Sequence, residues 1–327
     1  MSALETVRAQ DGAVRVLLRA SEQGRLASAY LFDGPSGVGK ELTALCLASD
    51  VIAGSDQHIA NRIRVGTHPD VRVFRPRDEG KRNIQVEVLR SEILPLAQFA
   101  PFEAGSTFFI FPEADVSFPA FQPEAANALL KTLEEPRPNV HFILTSERPD
   151  SLLPTIRSRC QRVRFGRLPN GVLRDILESA GAPGDCIAPA VALSAGRADL
   201  ALALANDGNV DALTELVMSV DDAVRDSGPG TLVELSEELA RRDDLELALL
   251  TLQLLYRDFA VTSLGPSTGE LGFSIHEEAL QERARSISPS AAAARVSLIH
   301  ECVQSIHQNA NRQVAIDSLL FGLRNLR

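Results

Sequence analysis

Apolar residues along the chain change their period part-way. Short strand signals stand at 30–33, 71–74, 108–111, 142–145 and 162–165, and between most of them apolar residues recur three to four positions apart. Runs of that length predict strands, and the spaced stretches between them predict helices. Strands that alternate with helices form a parallel α/β sheet covered on both faces. The ligand site of such a sheet lies at the carboxyl ends of its strands. Residues 1–29 read as helical, with Val7, Val14, Leu17 and Leu18 on one face and an interruption at Gln10-Asp11-Gly12.

After Phe165 the strand signals stop. Residues 166–205 keep a helical period broken at Gly181-Ala182-Pro183-Gly184, and further loop signals stand at 207–209 and 227–230. From Thr231 onward the chain is helical again. One helix carries Leu247, Leu250, Leu254 and Tyr256; another carries Val296, Leu298, Ile299, Val303 and Ile306. The last carries Val314, Ile316, Leu319, Leu320 and Leu323, and a Gly/Pro/Ser-rich connection is expected at 263–273. The expected division is a sheet domain at 1–165, a small helical domain at 166–206 and an all-helical domain at 207–327.

Chemistry concentrates where the first strand ends. Tyr-Leu-Phe-Asp-Gly-Pro-Ser-Gly-Val-Gly-Lys at 30–40 puts Gly34, Gly37, Gly39 and Lys40 at the spacing of a phosphate-binding loop. Glycines let backbone N–H groups converge on a phosphate, and the lysine reaches its outer oxygens. The next residue should be Ser or Thr, to hold Mg²⁺, but it is Glu41. Like charges near 4 Å repel by about 4 kcal/mol at an effective dielectric of about 20, so Glu41 opposes a triphosphate unless it binds a metal itself. The strand at 108–111 should end in a metal-holding Asp followed by Glu. It ends in Pro112-Glu113, so the Glu is present and the metal ligand is not. With both metal positions altered, the expectation is a loop that does not turn over nucleotide.

Charge and cysteine content narrow the function classes. The net charge is −10, and −9 of it falls within 206–250, so the rest of the chain is close to neutral. Autonomous nucleic-acid binding needs a basic footprint, which is missing. Cys46, Cys160, Cys186 and Cys302 are scattered, with no C-x₂-C pair, so neither a zinc site nor a disulfide framework is expected. No apolar run approaches the ~20 residues of a membrane span. The N-terminus has no secretory pattern, so a cytoplasmic location is expected.

Asn-Ala-Leu-Leu-Lys-Thr-Leu-Glu-Glu-Pro at 127–136 is followed by a strand ending in Thr145-Ser146. Thr-Ile-Arg-Ser-Arg-Cys follows at 155–160. Together these resemble the bacterial clamp-loader ATPase family, and Ser158-Arg159-Cys160 is the most specific part of the likeness. Gly66-Thr67-His68-Pro69-Asp70 and Asn309-Ala310-Asn311-Arg312-Gln313 also fit. The altered loop and Pro112 make the chain resemble the family's non-hydrolysing, stator-like member rather than its gamma/tau motor.

The resemblance implies an AAA+-type P-loop domain followed by a helical lid and a C-terminal collar that packs with other subunits. It implies that Arg159 is an arginine finger acting in trans, within the motif Ser158, Arg159 and Cys160. Gly34, Gly37, Gly39, Lys40 and Glu113 become the remnant of a nucleotide site, with no metal. ATP and Mg²⁺ then belong to a partner and no cofactor to this chain. The implied partners are gamma/tau motor subunits and a delta subunit, and through them the sliding clamp and primed DNA. Many relatives carry a four-cysteine zinc module before the second strand, whereas 52–65 here has no cysteine and only His58. Arg197 lies near a nucleotide-sensing position of such lids, although ordinary lid surface is the simpler reading. Two rivals remain: an active gamma/tau-type motor in which Glu41 and Glu113 rebuild a metal site, and a Holliday-junction-type motor, which leaves Ser-Arg-Cys unexplained.

Overall fold

The computed structural model describes residues 2–75, 84–118, 123–206, 210–264, 277–307 and 310–326. They form two compact units, Met1–Leu168 and Pro169–Arg327.

The first unit is built on five strands, β1 (Ala29–Asp33), β2 (Val71–Val73), β3 (Thr107–Phe111), β4 (Val140–Ser146) and β5 (Gln161–Arg164). They pair in the order β2-β3-β4-β1-β5, every pair parallel. All five residues of β3 and all seven of β4 are buried. A strand covered on both faces has no reason to alternate, which is why the apolar runs marked these strands so directly. Phe74, Phe109 and Phe142 stack in sequence at 6.2 and 5.3 Å, an aromatic ladder of the kind that stabilises neighbouring strands. The edge strand β5 buries only Val163.

Helices α1 (Asp11–Glu22), α2 (Lys40–Ile52), α3 (Gln57–Arg64) and α4 (Pro123–Glu134) accompany the sheet. Gly12 does not interrupt a helix; it lies in the first turn of α1. Gln10, which precedes α1, is buried and acts as a clamp. Its Nε2 donates to the Val38 carbonyl at 3.3 Å and the Gly166 carbonyl at 2.8 Å, and its Oε1 accepts from the Gly166 N–H at 3.0 Å. One amide thus ties the N-terminus to the glycine-rich loop and to the end of β5.

The second unit contains α5 (Asn170–Ser179), α6 (Gly184–Leu193), α7 (Ala198–Asn206), α8 (Val210–Asp226) and α9 (Pro229–Ala240). It continues through α10 (Leu245–Ser263), α11 (Glu277–Ala284), α12 (Pro289–His307) and α13 (Arg312–Asn325). The lid and collar expected from sequence both lie within it. Most of the connection expected at 263–273, and the loop signal at 207–209, lie outside the described residues.

A charged cluster sits in its core. The fully buried Asp221 receives Arg225 at 3.0 Å, Arg283 at 3.1 Å, Arg295 at 3.5 Å and the Tyr256 hydroxyl at 3.1 Å. Burial is the main cause of the Tyr256 phenol being pushed well above its usual range. Arg295 stacks over the Tyr256 ring at 4.9 Å and donates to the Leu326 carbonyl at 2.8 Å, so it holds down the end of the chain. Of the apolar residues on the last helix Val314 is 64% exposed, and on α12 the buried Arg295 shares the core face with Ile299.

Candidate functional site

The glycine-rich loop follows β1 and opens α2. Gly37 and Gly39 have φ of 66° and 93°, a region that glycine enters without strain. Gly34 has a steric reason as well: a Cβ there would stand 2.4 Å from the Phe165 carbonyl oxygen. The loop therefore abuts the carboxyl end of β5, and the predicted positions Gly34, Gly37, Gly39 and Lys40 come together as expected.

What fills the loop is its own lysine. Lys40 is buried, and its Nζ donates to the Gly34 carbonyl at 2.7 Å and to the Pro35 carbonyl. The neighbouring groups are internally engaged too. Glu41 forms an ion pair with Arg75, a partner 34 residues away that sequence reasoning missed. That pairing revises the charge argument, because Arg75 offsets the repulsion expected from Glu41. Beside the pair a groove of about 510 Å³ opens between α2, α3 and β2, lined by Arg64, His68 and Arg72 among others.

At the end of β3, Pro112 stands where a metal-holding Asp would, and Glu113 follows with φ of 48°. Its N–H donates to Thr145 Oγ1 at 3.3 Å, while the side chain is exposed. The buried Asp115 faces Arg148 Nε at 3.5 Å. The Ser146 carbonyl accepts from the Gly34 N–H at 3.1 Å, and its hydroxyl accepts from the Arg148 N–H at 3.0 Å. Among the described residues no group of three or more His, Cys, Asp or Glu could hold a metal.

Ser158, Arg159 and Cys160 lie at the other edge of the sheet. They precede Gln161, the first residue of β5, whereas Phe165 at the far end meets Gly34. The four steps between Gln161 and Phe165 span about 13 Å at ~3.3 Å per residue. Arg159 and the loop Lys40 are thus on opposite edges of one sheet.

The triplet divides its labour by direction. Cys160 turns inward against the apolar core, and burial pushes its thiol up to about 12, so it is an unreactive peg. Arg159 turns outward, with about a third of its side chain exposed. Its Nη1 donates to the Thr155 carbonyl at 3.0 Å and lies 3.4 Å from Ser158 Oγ, and its Nη2 pairs with Glu134 at the end of α4.

The stretch 147–167 is a basic window with arginines at 148, 157, 159, 162, 164 and 167, and others of them are paired as well: Arg148 with Asp115, Arg157 with Asp150, and Arg162 with Asp33 through two donors. A salt-bridged basic surface therefore describes most of the window. In the second unit Arg197 forks onto Asp199 at 3.2 and 2.9 Å, at the start of its own helix. His58 is exposed near the start of α3.

His68 and Asp70 build rather than react. Asp70, 1% exposed, accepts the N–H groups of Phe102, Glu103 and Ala104 at 2.6, 3.0 and 3.0 Å. Glu103 in turn receives Arg62 at 2.7 Å and His68 Nε2 at 3.2 Å.

Comparison with known proteins bears on this arrangement. Residues 9–169 match the family described as DNA polymerase III, delta subunit. The chain is 26% identical to the DNA polymerase III subunit delta' of Bacillus subtilis, over 96% of each chain. It is 34% identical to the subunit delta' of Pseudomonas aeruginosa, over 41% of this chain and 42% of that one. To the DNA polymerase III subunit gamma/tau of Mycobacterium bovis it is 28% identical, over 66% of this chain and 41% of that one.

Proposed function

Because the chain belongs to the delta-prime clamp-loader family of DNA polymerase III, we propose that it is the stator-like subunit of a clamp loader. It does not hydrolyse ATP itself and donates Arg159 to the nucleotide of an adjacent motor subunit. One observation carries this reading: Arg159 stands on the edge of the sheet opposite the chain's own phosphate loop. From there it cannot serve that loop, and a triphosphate it reaches must belong to a neighbour.

The role suits its chemistry. A guanidinium is always charged and presents a planar fork to phosphate oxygens, which an ammonium does not. Supplied in trans, such a group is worth about 10³ to 10⁵ in rate at the site it serves. The loop is read as a structural remnant for three reasons: Pro112 has no carboxylate, Glu41 is engaged by Arg75, and Lys40 is satisfied by the loop's own carbonyls. A gamma/tau-type motor would need Glu41 and Glu113 to meet around one metal, whereas Glu41 is already engaged by Arg75.

In this reading ATP and Mg²⁺ sit on gamma/tau-type partners. The helices from Val210 onward form the collar with them and with a delta subunit, and 166–206 is the lid. Sliding clamp and primed DNA are met through the complex, in the cytoplasm. Among the described residues no helix is long and apolar enough to cross a membrane. The chain carries no zinc, and elemental analysis finding about one zinc per chain overturns that part.

The deciding experiment is the clamp- and DNA-stimulated ATPase of the reconstituted loader with Arg159→Ala, its assembly checked by gel filtration. Normal assembly with reduced turnover is the expected result. Normal assembly with wild-type turnover removes the finger.

A further inference from the structure

β2 is the outer strand of the sheet, and among the described residues no strand pairs with its second edge. The pairing with β3 fixes which backbone groups that edge presents. The Asp70 carbonyl accepts from the Phe108 N–H at 2.8 Å, and the Phe74 N–H donates to the Ile110 carbonyl at 2.9 Å. Residues 70, 72 and 74 therefore face β3, and in the parallel ladder Val71 and Val73 face the other way. The Val71 N–H is taken by the His68 carbonyl at 3.3 Å. Among the described residues, the Val71 carbonyl and both backbone groups of Val73 are left for the open side.

The groove of about 510 Å³ follows this edge, since Val71, Arg72 and Val73 all line it. Its charges are uneven. Arg75 is paired with Glu41, the one acidic residue of the lining. Arg64 donates to the Asn61 side chain at 2.8 Å and Arg72 to the Pro69 carbonyl at 2.9 Å, both neutral acceptors. A guanidinium carries five donors, so each has donors to spare. Two arginines thus line the groove with no carboxylate to meet them among the described residues, in a unit whose Arg148, Arg157, Arg159 and Arg162 each meet one. The lining also holds Leu45, Ile63 and Val65, the last 54% exposed.

We propose that this groove docks an extended acidic segment of another protein, which adds to β2 as a further strand and sets its carboxylates against Arg64 and Arg72. Strand addition draws affinity from main-chain hydrogen bonds and specificity from what the alternate side chains meet. Val73 supplies the main-chain partners, and the arginines and the apolar lining supply the discrimination. An open strand edge is otherwise a liability that proteins cover or charge. A nucleic acid fits this groove less well, because single strands are held by stacking bases on free aromatic faces. Phe74, in the lining, is already stacked on Phe109 at 6.2 Å and on Phe111 at 5.4 Å.

The test uses the full chain and a fluorescein-labelled peptide, Glu-Val-Asp-Val-Glu-Val-Asp, read by fluorescence anisotropy. Its comparators are the same peptide with lysine at every acidic position, and a labelled thymidine oligonucleotide. Wild type is set against Arg64→Glu/Arg72→Glu, Val73→Pro and Arg19→Glu, the last at an exposed arginine of α1. Proline is tolerated on an edge strand where its N–H would face outward, so Val73→Pro removes the outward donor and spares the ladder to β3. The acidic peptide should bind wild type and Arg19→Glu alike, and bind the double charge reversal and Val73→Pro about tenfold or more weakly, at unchanged melting temperature. The lysine peptide should not bind. Should the proline variant melt early, amide exchange at Val73 of the wild type replaces it, and slower exchange with peptide bound is the expected result.

No binding of the acidic peptide overturns the proposal. So does affinity within about twofold of wild type in either groove variant, or unchanged exchange at Val73. An oligonucleotide that binds as tightly as the peptide and is lost with Arg64→Glu/Arg72→Glu also overturns it, and assigns the groove to nucleic acid.

Discussion

The two edges of the sheet carry the same kind of group in opposite states. At the carboxyl edge Lys40 is buried and donates to carbonyls of the loop it belongs to. At the amino edge Arg159 is a third exposed, and its acidic partner among the described residues, Glu134, is itself nearly half exposed. A cation satisfied by partly buried backbone carbonyls leaves its place only by stranding them, which costs about 1–3 kcal/mol at most. A cation held by an exposed carboxylate gives up about 0.2–1 kcal/mol. The first edge is closed on itself and the second is ready for exchange. A phosphate-loop motif and a basic loop therefore mean different things according to what already satisfies them.

The largest effect that would test this contrast is Arg159→Ala. Loss of a finger removes about 4–7 kcal/mol of transition-state stabilisation at the one site it serves, from the rate factor at about 1.4 kcal/mol per decade. Total loader turnover falls less, since other sites keep their own fingers, and the melting temperature of the chain hardly moves because the pair is on the surface. Arg159→Lys should rescue little of that turnover, because the ammonium is a point charge without the fork. Full rescue by lysine would mean that charge alone matters at this edge.

Lys40→Ala should do the reverse, lowering stability by about 1–3 kcal/mol in denaturant titration while loader turnover stays at wild type. Turnover lost with stability unchanged would mean the loop still binds nucleotide for a purpose, and the two edges would not differ as described.

The smallest expected effect is Glu134→Gln, which frees Arg159 without removing it. The freed finger should raise loader turnover at limiting ATP by about 1.4- to fivefold, the equivalent of a surface ion pair of about 0.2–1 kcal/mol. That gain should vanish when Arg159→Ala is added. A gain that survives in the double variant places the action of Glu134 elsewhere.

Local chemistry alone determined much of this protein. Strands β3 and β4 were legible because strands covered on both faces are continuous apolar runs, and each of the five observed strands lies within two residues of its expected bounds. Gly34, Gly37, Gly39 and Pro112 could be interpreted singly, since φ and the lack of a carboxylate are properties of one residue, whereas the charge of Glu41 could not. The Ser-Arg-Cys triplet was equally visible, but its inward cysteine and outward arginine were not.

Tertiary structure decided the partners and the edges. Arg75 meets Glu41, Glu134 meets Arg159 and Asp70 meets the amides of 102–104 across gaps of 34, 25 and 32–34 residues. Such meetings depend on the strand order β2-β3-β4-β1-β5, which no local period encodes. Periodicity likewise could not foresee Val314 exposed, nor Arg295 buried on Asp221 and Tyr256, because a helix face is apolar only where its neighbours make it so. The edge on which a charged side chain emerges, and what already holds it there, are set by how the chain returns through the sheet, and that path is a property of the whole fold.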